Sequence, residues 1–62
     1  MLVEQVKGIV STEDDVIANL ANVSAVLYEF MEDINWVGFY FIKNNELVVG
    51  PFQGKVACSR IP

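Results

Sequence analysis

Residues Asn35 to Pro62 read NWVGFYFIKNNELVVGPFQGKVACSRIP, and this stretch decides the fold. Trp36 to Lys43 mixes aromatic and β-branched residues with one glycine, a composition that fits a pleated, half-buried surface and predicts a strand over 36–43. Asn44-Asn45 tolerates positive φ and closes a tight hairpin turn, so Glu46 to Gly50 returns as a second strand. A two-residue loop sets Lys43 opposite Glu46, Ile42 opposite Leu47, Phe41 opposite Val48 and Tyr40 opposite Val49. The charge pair then lies beside the turn and the apolar pairs lie further in. Gly50-Pro51 is expected to break the second strand, because proline has no N–H for a ladder. Phe52-Gln53-Gly54 reads as a turn or bulge, and extended structure resumes at Lys55, with a third strand over 56–61.

Strand parity puts Trp36, Gly38 and Tyr40 on one face of the first strand and Val37, Phe39 and Phe41 on the other. Gly38 leaves a gap between two aromatic rings, wide enough for a neighbouring backbone or a small ligand. The plainer reading of such rings is core packing.

Upstream of the hairpin the period changes. Leu2, Val3, Val6, Ile9 and Val10 recur at helical spacing and predict a short helix over 2–10, weakened at Gly8. Val16, Leu20, Val23, Leu27 and Phe30 form a second stripe, with Asn19, Asn22 and Glu29 on the solvent side, and predict a helix over 12–31. Ser11 or Thr12 serves as its expected cap, with Glu13, Asp14 and Asp15 in its first turn, where the helix dipole favours acids. A helix end explains all three carboxylates, so no metal site is read there. The expected architecture is α+β, with two N-terminal helices packed on one face of an antiparallel sheet that stops as its third strand begins.

Composition narrows the function classes. Sixty-two residues make at most one domain, and a chain of that size buries only about 60% of its unfolded surface. A hydrophobic share of 53% exceeds what so short a chain hides by itself. A homodimer would cover the surplus; so would the remainder of a larger domain, of which residues 1–62 are then the N-terminal part. Seven of the eight carboxylates lie within residues 1–33, where Lys7 is the one base, and the net charge is −4. That acidic half argues against nucleic acid or an anionic membrane as partner. No run reaches the roughly 18 apolar residues of a membrane span, and the first residues lack a signal-peptide pattern. A cytoplasmic location is the expectation. One cysteine and no histidine leave no disulfide within the chain and no four-ligand zinc site.

The cysteine is Cys58. On an extended strand it shares a face with Val56 and Arg60, and a guanidinium that close favours the thiolate. The alternative is a small buried hydrophobe with no chemistry.

The segments NWVGFYFI, ELVVGPFQGK and ACSRIP, in that order and spacing, resemble the free methionine-(R)-sulfoxide reductases, enzymes built on a single GAF domain. ANLANVSAVLYEFMEDI is similar to that family's second helix, so the likeness spans residues 16–62 and leaves 1–15 uninformative. Ser59 departs from it, standing where the family usually has an apolar residue. By position, the resemblance implies that Trp36 and Tyr40 wall the pocket around the substrate's methyl and thioether end. It implies that Cys58 is the recycling or resolving cysteine, while the nucleophilic cysteine and the acids that hold the substrate's amino group belong to family segments beyond Pro62. The implied partners are free methionine-(R)-sulfoxide and thioredoxin, and no metal or organic cofactor is implied. Two other readings stand beside this one: a GAF-type module that binds a small ligand as a sensor, and an interaction module with an inert Cys58.

Overall fold

A computed structural model describes all residues 1–62. Helix α1 (Leu2–Ser11) and helix α2 (Val16–Phe30) precede strands β1 (Trp36–Lys43), β2 (Glu46–Gly54) and β3 (Arg60–Ile61). The three strands form one antiparallel sheet in the order β1-β2-β3. Helix α2 packs on β1 and β2, and α1 packs on α2. The molecule is a slab of 36 × 30 × 13 Å.

The hairpin follows its sequence. Asn44 and Asn45 both take positive φ, 50° and 65°, the geometry whose twist matches the flanking strands. The pairs Lys43–Glu46, Ile42–Leu47, Phe41–Val48 and Tyr40–Val49 stand in the expected register. Beyond Tyr40 the two strands differ. β2 runs through Gly50-Pro51 to Gly54 instead of ending, and Gly38 pairs with Phe52. Two steps on β1 therefore match three on β2, so Gly50 and Pro51 together oppose Phe39. A bulge leaves its extra residue outside the ladder, which is how a proline persists inside this strand.

The helix boundary also differs from the expectation. Ser11 and Thr12 do not start α2; their hydroxyls donate back to the Gly8 and Ile9 carbonyls and close the end of α1. The cap of α2 is Asp15, whose carboxylate accepts from the Ala18 N–H at 2.8 Å. Glu13 in turn accepts from the Asp15 N–H at 2.9 Å, so the acids form the connection between the helices and not the first helical turn. At the other end the helix stops before Glu32, with the Met31 N–H closing on the Leu27 carbonyl.

The stripe of α2 holds in its middle and overhangs at its ends. Leu20, Val23 and Leu27 are half-buried, whereas Val16 and Phe30 are exposed. Asn19 is half-buried as well, not on the solvent side, and its amide donates to the Glu13 carbonyl at 2.8 Å. The one fully buried residue of the chain is Ser24. Its hydroxyl bonds the Leu20 carbonyl at 2.8 Å and approaches the Pro51 carbonyl of the bulge at 3.4 Å. A small residue there lets the helix backbone come close to β2. No apolar side chain is wholly buried, in keeping with the high ratio of surface to volume in so thin a body.

Candidate functional site

The Trp36 face of β1 carries the site. Trp36 and Tyr40 lie on the same side of the strand, their rings stacked with centroids 6.0 Å apart. Phe52 also stacks on Trp36, at 5.3 Å. Phe52 was not among the expected site residues, because a second strand ending at Gly50 left it in a turn. The bulge restores it, adding one residue to β2 and turning Phe52 toward the indole.

Two glycines hold the indole in place. A Cβ on Gly38 would collide with the Phe52 Cβ and lie 2.8 Å from Trp36 Cη2. The gap read into the sequence at Gly38 is therefore filled by the edge of Trp36 and the backbone of β2, and it does not serve as a ligand cavity. Gly54 has φ of 130°, and a Cβ there would meet the Asn35 carbonyl at 2.6 Å and Trp36 Cδ1 at 3.0 Å. Only glycine fits this turn and this approach.

Past Gly54 the chain leaves the ladder and folds over the aromatic face. Asn35, Trp36, Tyr40, Lys55, Val56 and Ala57 line an open hollow of ≈ 290 Å³. No helix residue borders it, so α2 covers the opposite face of the sheet. Two walls are aromatic, two positions are aliphatic, and Lys55 is the one formal charge.

Cys58 comes next in the chain, is exposed, and has no covalent partner. The Tyr40 hydroxyl donates to the Cys58 carbonyl at 3.1 Å, so the aromatic wall and the cysteine segment are joined directly. The strand geometry expected around Cys58 is absent. β3 contains only Arg60 and Ile61, residues 55–59 form an irregular segment, and Cys58 and Arg60 do not share a strand face. Arg60 faces Glu46 at 3.3 Å across the sheet, which directs its guanidinium to a carboxylate and not to the thiol. Glu46 thus pairs with Arg60, while Lys43, its neighbour in the ladder, lies 6.0 Å from the Phe41 ring centroid. Neither helix is long and apolar enough to cross a membrane.

No family model matches the chain. The free methionine-R-sulfoxide reductase of Escherichia coli is 56% identical over 55 residues, covering 89% of this chain and 33% of that protein. The structure of fRMsr of Staphylococcus aureus in complex with substrate superimposes with a TM-score of 0.93 at 46% identity, over 98% of this chain and 40% of that one. A protein assigned as a GAF sensor, from Burkholderia vietnamiensis, gives 0.92 at 57% identity over 97% of this chain and 38% of its own. The chain spans no more than about two fifths of the length of these relatives. Two helices on a three-stranded antiparallel sheet, superimposing on these proteins along nearly every residue, make this chain a GAF-type segment homologous to the N-terminal portion of the free methionine-R-sulfoxide reductases.

Proposed function

We propose that residues 1–62 supply the aromatic wall and the resolving cysteine of an enzyme that reduces free methionine-(R)-sulfoxide. The observation that carries this reading is the tie between the Trp36–Tyr40 wall and the Cys58 segment through the Tyr40 hydroxyl. A thioether-and-methyl end suits two stacked rings and the aliphatic rim of Val56 and Ala57, because such a group loses little on leaving water and gains contact with polarisable faces.

The chemistry balances with two cysteines, of which this chain holds one. A thiolate sulfur attacks the sulfoxide sulfur, the sulfoxide oxygen passes to the enzyme as a sulfenic acid, and methionine leaves. The Cys58 thiol then attacks the sulfenic sulfur, forming a disulfide and releasing water. A dithiol such as that of thioredoxin reduces the disulfide by exchange and is itself oxidised. Cys58 is exposed, as a group that meets an external reductant must be. These 62 residues alone cannot complete the cycle, since nucleophile and resolver must be different cysteines.

The test uses the protein made from its complete reading frame. With Cys58→Ser, a single-turnover assay still releases about one methionine per site, while thioredoxin-supported turnover falls well below that of the unsubstituted protein. Loss of the burst itself would reverse the roles and make Cys58 the nucleophile.

A second reading, a GAF-type ligand-binding sensor without redox chemistry, draws on the likeness to the Burkholderia vietnamiensis protein and on the open hollow. Binding of the sulfoxide with no release of methionine would favour it.

A further inference from the structure

Between Gly54 and Ser59 the chain has few attachments. Residues 55–59 belong to no helix or strand, and of residues 55–58 only Ala57 is half-buried. Val56 is 96% exposed and Cys58 is exposed, so packing does not fix the segment. At its far end the Ser59 carbonyl accepts from the Val49 N–H at 2.9 Å. Before Ser59 a single hydrogen bond reaches it, from the Tyr40 hydroxyl to the Cys58 carbonyl at 3.1 Å. The donor end of that bond is well anchored. Tyr40 is paired with Val49 inside the ladder, and its ring stacks on Trp36. Arg60, the nearest cation in sequence, is engaged with Glu46 across the sheet.

We infer that the Tyr40 hydroxyl positions Cys58 for disulfide closure, acting through the backbone carbonyl and not on the thiol. This deepens the proposed function and rests on its assignment of Cys58 as the resolver. Once methionine has left, the sulfenic acid stands on a different cysteine of the complete protein. The Cys58 sulfur attacks the sulfenic sulfur, the S–S bond forms as the S–O bond breaks, and the hydroxyl leaves as water with the thiol proton. That step is fast only if the attacking sulfur is already held near the place where the oxygen was delivered. Tyr40 lines the hollow and also bonds the Cys58 backbone, so one side chain relates the resolver to the site of oxygen transfer. A segment freed from this bond samples more positions, and fewer of them present the thiol. Tyr40 is thus a positioning residue for the second step through its oxygen, and a wall for the first through its ring.

Quenched-flow single turnovers of the protein from its complete reading frame test this, with saturating methionine-(R)-sulfoxide and no reductant. They give the rate of methionine release and the rate at which dimedone-trappable sulfenic acid disappears into the disulfide. The ratio of closure to release is the readout, since a general loss of folded protein lowers amplitudes and leaves the ratio alone. In Tyr40→Phe, which keeps the ring, the ratio should fall about fivefold, the worth of one exposed hydrogen bond, and trapped sulfenic acid should accumulate. Tyr40→Leu, which removes ring and hydroxyl, should show the same fall together with a higher KM for the sulfoxide. An unchanged ratio in Tyr40→Phe overturns the inference. So does a fall confined to Tyr40→Leu, which would assign the effect to the ring. If Cys58→Ser closes its disulfide as fast as the unsubstituted protein, Cys58 is not the resolver, and the inference falls while the reductase reading stands. If the unsubstituted protein releases no methionine, the proposed function falls and this inference falls with it.

Discussion

The Tyr40 hydroxyl donates to the Cys58 carbonyl at 3.1 Å and so joins the middle of β1 to the irregular segment that leads into β3. Its neighbour Ser59 offers its carbonyl to the Val49 N–H at 2.9 Å, a second bond that holds the same segment against β2. Residues 55–59 thus lie over the sheet by two bonds and little ladder. Tyr40 serves at once as wall and as tether.

Tyr40→Phe should separate those two roles. The ring stays against Trp36, and one exposed hydrogen bond worth about 1 kcal/mol is lost. Amide hydrogen exchange at Val49 should accelerate about fivefold, in line with that energy, while Phe41 and Ile42 in the ladder stay unchanged. Equal exchange at Val49 in both proteins would show that the tether holds nothing.

Gly38→Ala should disorganise the aromatic wall. The added methyl meets the Trp36 ring at 2.8 Å and the Phe52 backbone at 2.8 Å, and backbone cannot yield as a flexible side-chain tip would. We expect a loss of about 1–3 kcal/mol, the usual cost of overpacking, with a change in the near-ultraviolet dichroism of the single tryptophan. Unchanged stability and dichroism would mean that the close approach of Gly38 to Phe52 is relaxed in solution.

Substitutions on the two faces of β1 should differ in kind. Trp36→Ala removes a wall of the hollow and should weaken ligand binding strongly. Phe39→Ala, opposite the bulge and on the helix-covered face, should act on stability by a few kcal/mol, here about 3. Measuring ligand Kd and the urea midpoint for each variant checks the division. A Phe39→Ala protein of normal stability but poor affinity would refute it.

Along α2, Leu27→Ala should cost about 2 kcal/mol, at the lower end for core leucines because Leu27 is half-buried. Asn22→Ala, on the exposed side, should change stability by no more than about 0.5 kcal/mol. Chemical denaturation of the two variants settles the helix phase, and equal losses would show it to be misread.

The half of the hairpin next to the turn was legible to the residue because its turn chemistry, charge pair and apolar pairs all point to one register. Two signals misled. Pro51 reads as a strand end, yet a bulge accommodates it, and with it the sequence concealed the stacking of Phe52 on Trp36. Ser11 and Thr12 read as caps of a following helix, but their hydroxyls bond the helix behind them, and Asp15 takes over the start. Cap residues carry no direction in the sequence; only the backbone decides which end they serve. Parity placed Trp36 and Tyr40 on one face, which survives because the bulge lies on β2 and leaves β1 regular; their reading as pocket walls came from the resemblance and not from the pattern. That Lys55 borders the hollow could not be read in advance, since its place depends on the turn at Gly54 and on no pattern of its own.

The bulge makes the length of β2 as consequential as its composition. Removing one residue at Gly50-Pro51 would let a regular ladder run from Tyr40–Val49 to Gly38–Phe52, with every pair beyond it kept. Adding one residue would require a second extra residue to leave the ladder opposite Phe39; if the ladder absorbs it instead, every position beyond changes faces and Phe52 turns away from the indole. Each side-chain substitution at Pro51 tests one contact, whereas a single insertion there exchanges the two surfaces of half a strand. An insertion there, more than a deletion or a substitution, is therefore the change this segment should tolerate least.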